Sequence, residues 1–296
     1  MKIYISHRPQ SIGGGSNTFS WLFKRWCKKQ RHKVVSNPTK ADLAIIIAHL
    51  AHEEQIKLAK ENGCYVVHRL DEYFEPNEDE VRREKHGQII RLNRLADMTV
   101  FQSKFVFENV YPYIKPRSYK IIYNGNDPEL FFPSEKLGEY IGHVTWGVGQ
   151  RKRLDLLYKF VKTNPQEKFL LIGRHSESSF NFRLSNVILK GPVKRKKIAR
   201  FFRMMKMFYY PSEKDPCPNT VIEAILCGVP VCYSDDGGTP ELVKDCGEPL
   251  ENVKMLLANL PIYRERCLRR KDLYFDDVFK EYLSCYKTPF KYEIES

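Results

Sequence analysis

The stretch that decides the fold runs from Pro211 to Glu241 and reads PSEKDPCPNTVIEAILCGVPVCYSDDGGTPE. An apolar strand over residues 207–210 stops where this stretch begins. Asn219 or Thr220 can then cap a helix by accepting a hydrogen bond from an early backbone N–H. Gly228 follows the last apolar residue of that helix, where a positive φ is typical of a helix end. The first half of the stretch therefore predicts a strand, a loop and a helix.

The second half of the stretch repeats this order. Pro230 prevents continuation of the helix, and a buried strand is predicted over residues 229–233. Thr239 then precedes a proline, a pairing typical of a helix start, directly after Gly237-Gly238. Because the carboxyl ends of parallel strands meet at one sheet edge, two helix N-termini are expected there. Their unpaired N–H groups suit an anion, typically phosphate.

Two carboxylates, Asp215 and Glu223, lie within this predicted phosphate site. A carboxylate accepts paired hydrogen bonds from the adjacent hydroxyls of a ribose or hexose. Either residue alone is more simply explained as a solvated loop or helix residue. Together with the glycine loop, they indicate a site for a sugar nucleotide.

This stretch resembles the donor-binding signature of glycosyltransferase family 4, whose members are retaining enzymes of GT-B fold. Glu223-Ala224, Gly228 and Pro230 match the signature, and Asp215 stands where its first Glu is usual. A second, separate match is the segment 124–133, which is similar to the Asn-Gly-x-Asp…Phe-x-Pro segment that ends the N-terminal domain in that family.

Composition narrows the class of protein. The chain has 296 residues, enough for two α/β domains, and its hydrophobic content of 42% is that of a globular protein. There is no apolar run of about 18 residues that predicts a transmembrane helix. The eight cysteines form no Cys-x-x-Cys pair and mostly lie in apolar segments, which favours reduced thiols in the cytoplasm. The net charge of +13 indicates an anionic partner, or simply a basic and soluble surface.

In the N-terminal half, a loop with three glycines at 13–15 follows the first strand and precedes a helix. The resemblance implies that Gly14 and Gly15 line the donor diphosphate. That helix has an apolar stripe at Phe19, Phe23 and Trp26, which indicates core; docking of this basic helix on an anionic membrane is the alternative.

His68 ends a buried strand at the edge where α/β proteins bind ligands. It can be a structural edge histidine or a ligand of the transferred sugar or acceptor, and the resemblance favours the second role. Arg69 and Asp71 are candidate acceptor-site residues. The acidic run Glu78-Asp79-Glu80 is interpreted as solvated, and the whole segment 72–85 as a loop.

In the C-terminal half, Arg151, Lys152 and Arg153 open a predicted helix. Cations at a helix N-terminus oppose its dipole, so the arrangement is favourable when an anion binds there. The resemblance implies that Lys152 contacts the donor phosphates. The arginine usual in the preceding loop is missing, and Arg151 or Arg153 is the candidate replacement.

The predicted fold is α/β of GT-B type, with two Rossmann-like parallel-sheet domains facing each other across a cleft. We expect an acceptor-side domain over residues 1–135 and a nucleotide-sugar domain over residues 136–296, whose last helices return to the first domain.

The predicted function is metal-independent retaining transfer of a sugar from a nucleotide-diphosphate-sugar to an acceptor hydroxyl. The donor is expected to be a UDP- or GDP-sugar and the acceptor a glycan or a lipid-linked group, with peripheral contact to an anionic membrane as a further expectation. No cofactor, metal site or nucleic-acid partner is expected. The candidate catalytic residues are His68, Lys152, Asp215 and Glu223. The donor-binding set comprises Gly14, Gly15, Arg151, Lys152, Asp215, Cys217, Pro218, Asn219, Thr220, Glu223, Gly238 and Thr239.

Two alternatives stay open at this level. The first is a non-catalytic basic α/β protein that binds nucleic acid or another polyanion, whose binding would weaken steeply with salt. The second is another nucleotide-sugar enzyme such as an epimerase, which needs a Gly-x-Gly-x-x-Gly fingerprint that residues 13–18 do not supply.

Overall fold

The computed structural model describes residues 1–9, 14–75 and 79–286. They divide into two compact units. Of the described residues, the first unit combines 1–9, 15–123 and 275–286, and the second contains 124–274 together with Gly14.

The first unit is built on a parallel sheet of six strands in the order β2-β1-β3-β4-β5-β6. These strands are β1 Lys2–Ile5, β2 Lys33–Val35, β3 Leu43–Ile47, β4 Tyr65–Leu70, β5 Met98–Phe101 and β6 Tyr119–Ile121. The helices between them are α1 Gly15–Lys29, α2 Glu53–Glu61, α3 Glu80–Asn93 and α4 Lys104–Ile114. All five residues of β3 are buried, as expected for an inner parallel strand covered by helices on both faces.

The last described helix, α11 (Phe275–Ser284), completes the core of this first unit. Phe279 makes edge-on ring contacts with Phe19 and Phe23 of α1, at centroid distances of 5.5 and 5.0 Å. Trp26 packs on the same ring at 5.8 Å. The apolar stripe of α1 is therefore covered by protein, so the structure supports the core interpretation of this helix and not the membrane-docking alternative.

The second unit has a parallel sheet of six strands in the order β12-β11-β10-β7-β8-β9. These strands are β7 Tyr140–Thr145, β8 Phe169–Gly173, β9 Val187–Lys190, β10 Met205–Tyr210, β11 Val231–Tyr233 and β12 Gly247–Pro249. The helices are α5 Leu154–Thr163, α6 Arg195–Phe202, α7 Asn219–Leu226, α8 Thr239–Val243, α9 Val253–Ala258 and α10 Leu260–Leu268. The predicted class, α/β with two parallel-sheet domains, is confirmed.

The strand order of the second unit creates a switch point between β7 and β10. From β7 the chain proceeds outward to β8 and β9, and then returns to pair β10 with the other side of β7. Helices that follow β7 and β10 lie on opposite faces of the sheet, so a crevice opens at the carboxyl ends of these two strands.

Three sequence expectations differ from the structure. The unit boundary lies at Tyr123/Asn124 and not near residue 135, because Asn124 donates to the carbonyl of Cys217 (3.1 Å) and Phe131 packs on Phe202 in the second unit. Residues 80–85 are helical and not a loop, because the Asp79 carboxylate accepts from the N–H of Arg82 and caps α3. Strand β12 was not predicted at all, since its sequence Gly-Glu-Pro carries no strand signal.

None of the helices in the described ranges is long and apolar enough to span a membrane.

Candidate functional site

An ion pair spans the switch point of the second unit. Lys152 lies in a short 3-10 turn after β7, and Asp215 lies in the loop after β10. The ammonium Nζ of Lys152 is 3.1 Å from Oδ2 of Asp215, and the hydroxyl of Tyr210 donates to the same oxygen at 2.7 Å. The two sequence-predicted residues are thus brought together, and Tyr210 joins them from the end of β10.

These contacts keep Asp215 ionised. Burial alone would raise the pKa of this carboxyl, but the charge of Lys152 and the hydrogen bond from Tyr210 outweigh burial, so the pKa lies below its usual value. The site therefore holds one fixed anion and one fixed cation beside each other at the crevice.

The loop after β11 packs against Asp215 from the other side. The N–H of Gly238 donates to the backbone carbonyl of Asp215 at 2.9 Å. Gly237 has φ +70°, and a Cβ built there would lie 2.8 Å from backbone atoms of Asp215. The close approach explains the glycine at 237. The Gly238 N–H, which we expected to contact the donor diphosphate, thus donates to Asp215 in the structure.

Helix α7 begins beside this loop, with Pro218 in the position before its first residue, Asn219. Sequence reasoning placed the cap at Asn219 or Thr220, one or two residues later. The earliest N–H groups of a helix have no acceptor within it, so the N–H groups of Asn219 and Thr220 remain suited to an anion. Thr239, in contrast, is fully buried and is the first residue of α8, after Gly238 in the cap position.

Glu223 projects from α7 into a buried polar cluster. Its side chain is 5% exposed, and its Oε1 accepts from the amide of Asn126 at 3.2 Å. Burial raises the pKa of Glu223 to about 8, although the charge of nearby Arg195 and the Asn126 hydrogen bond act in the opposite direction. At neutral pH the carboxyl is therefore predominantly protonated. An entering diol could donate to the ionised form, which links ligand binding to proton release.

Asn126 and Arg195 belong to this cluster, but sequence reasoning did not assign them to the site. Asn126 is fully buried, and its own N–H donates to the carbonyl of Leu273. The signal for Asn126 was present in the segment 124–133, which was interpreted as a domain end. Arg195 lies in a run of cations over residues 194–197, and the run itself does not single out one of its members.

The structure narrows the choice of the second cation beside Lys152. Arg153 forms ion pairs with Asp155 (2.9 Å) and with Glu213, so two carboxylates already neutralise it. Arg151 is exposed on the preceding turn. Arg153 is thus engaged by carboxylates of its own unit, and Arg151 stays a candidate for the second charge at the start of α5.

His68 does not present its ring to solvent. It is fully buried in β4, where Nε2 lies 2.9 Å from the carbonyl of Ala48 and Nδ1 lies 3.1 Å from the amide of Asn93. These partners require the proton on Nε2, since a carbonyl accepts and the Asn93 amide donates. Burial lowers the pKa of His68 to about 4, so the ring is neutral. This environment supports the structural alternative for His68.

The other candidates in the first unit are also engaged internally. Arg69 is fully buried, donates to Asp71 at 2.7 Å and lies 4.1 Å from the ring centroid of Phe19. Asp71 also accepts from the hydroxyl of Ser16 at 2.9 Å. These contacts tie the end of β4 to the start of α1, which is a structural function.

The glycine loop is described only in part. Gly15 is the first residue of α1, and a Cβ on Gly14 would meet nothing within 4 Å. Gly13 lies outside the described residues.

The described side chains do not assemble a group of three or more metal-ligating residues. What the second unit does assemble is a cation, an ionised carboxylate, a helix N-terminus and a protonated buried carboxyl. Such a set can bind an anion next to a diol.

Comparison with known proteins agrees with this arrangement. Residues 139–265, which lie within the second unit, match the family model described as Glycosyl transferases group 1. The match covers less than half of the chain, and it shows that the second unit is similar to a domain of that family.

Solved structures extend the likeness to the whole fold. Sucrose-phosphate synthase from Thermosynechococcus elongatus superposes with a TM-score of 0.75 at 14% identity, covering 96% of this chain and 98% of that one. The Anabaena protein HepE, solved with UDP and glucose, gives 0.71 at 13% identity, with 96% and 99% covered. An alpha-glucosyltransferase solved with UDP and a 13-mer DNA containing an HMU base gives 0.69 at 12% identity, with 97% and 100% covered. The search of curated proteins finds no match.

Proposed function

We propose that this protein transfers a sugar from a nucleotide-diphosphate-sugar to an acceptor hydroxyl, and that the second unit holds the donor. The observation that carries the proposal is the Lys152–Asp215 ion pair at the switch point, next to the N-terminus of α7 and the buried carboxyl of Glu223. A phosphate site beside a diol site is what a sugar nucleotide requires.

Each part of this site has a proposed role. Lys152, Arg151 and the N–H groups of Asn219 and Thr220 stabilise the negative charge that develops on the leaving diphosphate. Such preorganised electrostatic stabilisation is usually the largest catalytic contribution, and removal of one donor typically lowers kcat about 10²–10³-fold. Glu223 accepts from the ribose hydroxyls.

Asp215 and the backbone of residues 217–219 hold the transferred sugar. Because Asp215 neutralises Lys152 when no donor is bound, entry of the donor phosphates exchanges one anion for another at the ammonium group. The exchange lets the Lys152 ammonium lie in a partly buried site without the cost of an unpaired charge.

A UDP-sugar is the first donor to test. HepE is described with UDP-glucose and the alpha-glucosyltransferase with UDP, and both share this fold. Retention of anomeric configuration and independence from metal follow from the resemblance to glycosyltransferase family 4. Lys152, Arg151 and a helix N-terminus supply the positive charge that a metal ion would otherwise provide.

The acceptor is proposed to be a glycan or a lipid-linked group. We place the reaction in the cytoplasm, because all eight cysteines are free and buried in the structure, as expected of a protein from a reducing compartment.

Thermal unfolding with UDP, GDP and their sugars tests the donor site directly. A nucleotide at about 100 times its dissociation constant adds roughly 2.7 kcal/mol to the free energy of unfolding. We expect a shift of several degrees for one base, unchanged by EDTA and lost in Glu223→Ala. Glu251→Ala, which removes an exposed carboxylate of the same unit, is the matched control and keeps the shift.

Turnover with the sugars of the shifting nucleotide then follows, and the NMR coupling of the product's anomeric proton reports its configuration. If no nucleotide shifts the folded protein, while a polyanion does so in a salt-sensitive manner, the transferase proposal loses to the polyanion-binding alternative.

A further inference from the structure

The sequence between Glu177 and Glu213 contains no acidic residue. Nine cations lie in this acid-free segment: Arg183, Lys190, Lys194, Arg195, Lys196, Lys197, Arg200, Arg203 and Lys206. Lys206 pairs with Glu167 at 2.5 Å, and Arg195 lies beside Glu223. The other seven cations place much of the positive charge of the second unit within residues 183–203.

Helix α6 presents most of these charges on one face. Its buried residues are Ile198, Ala199, Phe201 and Phe202, which anchor it to the unit. Its exposed residues are all cations, namely Lys196, Lys197 and Arg200. Lys194, in the position before the helix, and Lys190, at the end of β9, are exposed as well.

This arrangement destabilises the helix that carries it. Lys194 offers no side-chain cap, the first turn has no acidic residue, and like charges at the helix N-terminus oppose the dipole. An anionic surface against this end would offset the repulsion among the cations and their unfavourable interaction with the helix dipole.

Large apolar side chains adjoin the cationic face at its other end. Met204, two residues after the end of α6, is 37% exposed, and Phe132 is 47% exposed. The guanidinium of Arg203 stacks 4.3 Å from the ring centroid of Phe132 and so joins this apolar pair to the cations. Cations and exposed apolar side chains therefore form one continuous surface.

We propose that this surface, made of Lys190, Lys194, Lys196, Lys197, Arg200, Arg203, Phe132 and Met204, docks the protein on an anionic lipid bilayer. Each Lys or Arg near such a surface contributes about a fivefold increase in binding. Apolar side chains that reach the headgroup–acyl boundary add to this electrostatic attraction in proportion to the apolar area that they bury. The inference goes beyond the proposed activity, because none of these residues belongs to the donor site.

A bilayer fits this surface better than a nucleic acid does. Phosphodiester groups would satisfy the cations, but they would leave Phe132 and Met204 in water. The boundary region of a bilayer accepts both kinds of side chain.

Flotation with vesicles tests the proposal. Full-length protein is mixed with vesicles of phosphatidylcholine alone or with 30% phosphatidylglycerol, at low and at physiological salt. We expect binding to the anionic vesicles only. The variant Lys194→Gln/Lys196→Gln/Lys197→Gln/Arg200→Gln should lower the partition coefficient by several hundredfold. Phe132→Ser/Met204→Ser should lower the partition coefficient by a similar factor at both salt concentrations, because salt does not screen the apolar contact.

The matched control is Lys159→Gln/Lys162→Gln/Lys254→Gln/Lys271→Gln, which removes the same charge from exposed positions elsewhere in the second unit and should bind as wild type. A UDP-induced thermal shift, where wild type shows one, verifies folding of each variant and reports on the donor site independently of lipid. Equal loss in both quadruple variants overturns the proposal, since net charge would then explain binding. Binding to a DNA duplex with none to anionic vesicles also overturns it.

Discussion

Glu223 is the residue whose environment departs furthest from that of a surface glutamate. Its carboxyl is buried beside Asn126, and the pKa is raised to about 8 from an ordinary value of 4.5. Between these two values the folded protein binds one more proton than the unfolded chain does. The free energy of unfolding must therefore fall as the pH rises through this range.

Glu223→Gln should remove that pH dependence. Relative to the variant, wild type should lose up to about 1.4 kcal/mol of unfolding free energy per pH unit between pH 5 and pH 8, and no more above that range. Urea unfolding of both proteins from pH 5 to pH 9 measures the difference. Parallel pH profiles for the two proteins would show that Glu223 is ionised in the fold.

Two buried histidines outside the proposed donor site also have pKa values that differ between the folded and the unfolded chain. Nδ1 of His143 in β7 lies 2.7 Å from Nε2 of His175, so one ring donates and the other accepts. Burial lowers the pKa of His175 to about 4 and holds that of His143 well below its usual value. Both rings are neutral in the fold, whereas both take up a proton below pH 6.5 once the chain unfolds.

His143→Leu/His175→Leu should therefore flatten the acid limb of the stability profile. Each histidine contributes a loss of up to about 1.4 kcal/mol per unit as the pH falls from 6.5 toward 4. Removing both partners of a buried hydrogen bond is close to neutral at pH 7, whereas His143→Leu alone strands a polar atom and costs about 1–3 kcal/mol. Unfolding titrations at pH 4.5 and pH 7 test this; an unchanged acid limb in the double variant contradicts it.

At the scale of elements, the loops after β10 and β11 pack directly against each other. Gly237 lets the second loop approach the backbone of Asp215, and Gly238 donates to it. The position of Asp215, and with it that of Lys152, depends on this packing. Small changes in the loop after β11 should therefore displace Asp215 and Lys152 at the switch point.

Gly237→Ala should affect both stability and donor binding. The positive φ and the 2.8 Å approach make the methyl group strained, at a cost of about 1–3 kcal/mol. Displacement of Asp215 should also weaken nucleotide binding about tenfold or more. Calorimetric titration with the donor nucleotide and urea unfolding measure the two effects. Gly191→Ala is the control, since a Cβ there meets nothing within 4 Å; equal behaviour of the two variants would refute the argument.

Local sequence was sufficient for the elements that carry a periodic or capping signal. Gly228 was expected to need a positive φ, and it has φ +70° at the end of α7. The first turns of α3 were missed because its cap, Asp79, was interpreted as part of a solvated charge run. Strand β12 was missed because it is held by backbone pairing to β11, which requires no particular side chains.

The site was predictable where spacing within one segment defines it, and not where distant segments meet. Asp215 and Glu223 lie eight residues apart, Asp215 in the loop before α7 and Glu223 within that helix. The partner of Glu223, Asn126, is 97 positions away in sequence. Ala48 and Asn93, which are distant in sequence, hydrogen-bond both ring nitrogens of His68. The position of His68 near the end of a strand therefore did not reveal that its ring is buried.

At the scale of the molecule, the first unit is assembled from both ends of the chain. Phe279 of α11 is 1% exposed and sits among the aromatic rings of α1. The last described helix is therefore part of the first core and does not merely decorate its surface.

Phe279→Ala should destabilise the first unit by about 3–5 kcal/mol, the usual effect of emptying a buried phenylalanine site. The proposed donor site lies in the other unit, so nucleotide affinity in the folded protein should stay unchanged. Denaturant unfolding followed by Trp fluorescence, with nucleotide titration alongside, measures both. Lys280→Ala, an exposed change on the same helix, should remain within about 0.5 kcal/mol of wild type; a comparable loss there would point to helix propensity instead of packing.

The return of α11 also has a consequence for synthesis. The ribosome makes Phe19 and Phe23 roughly 260 residues before it makes the Phe279 ring that covers them. At about 5–20 residues per second, that interval lasts roughly 13 to 50 seconds. Throughout it, a nascent chain carries an uncovered aromatic stripe, and the second unit can complete its fold first. The order in which the two units mature is then the reverse of the order in which they are translated.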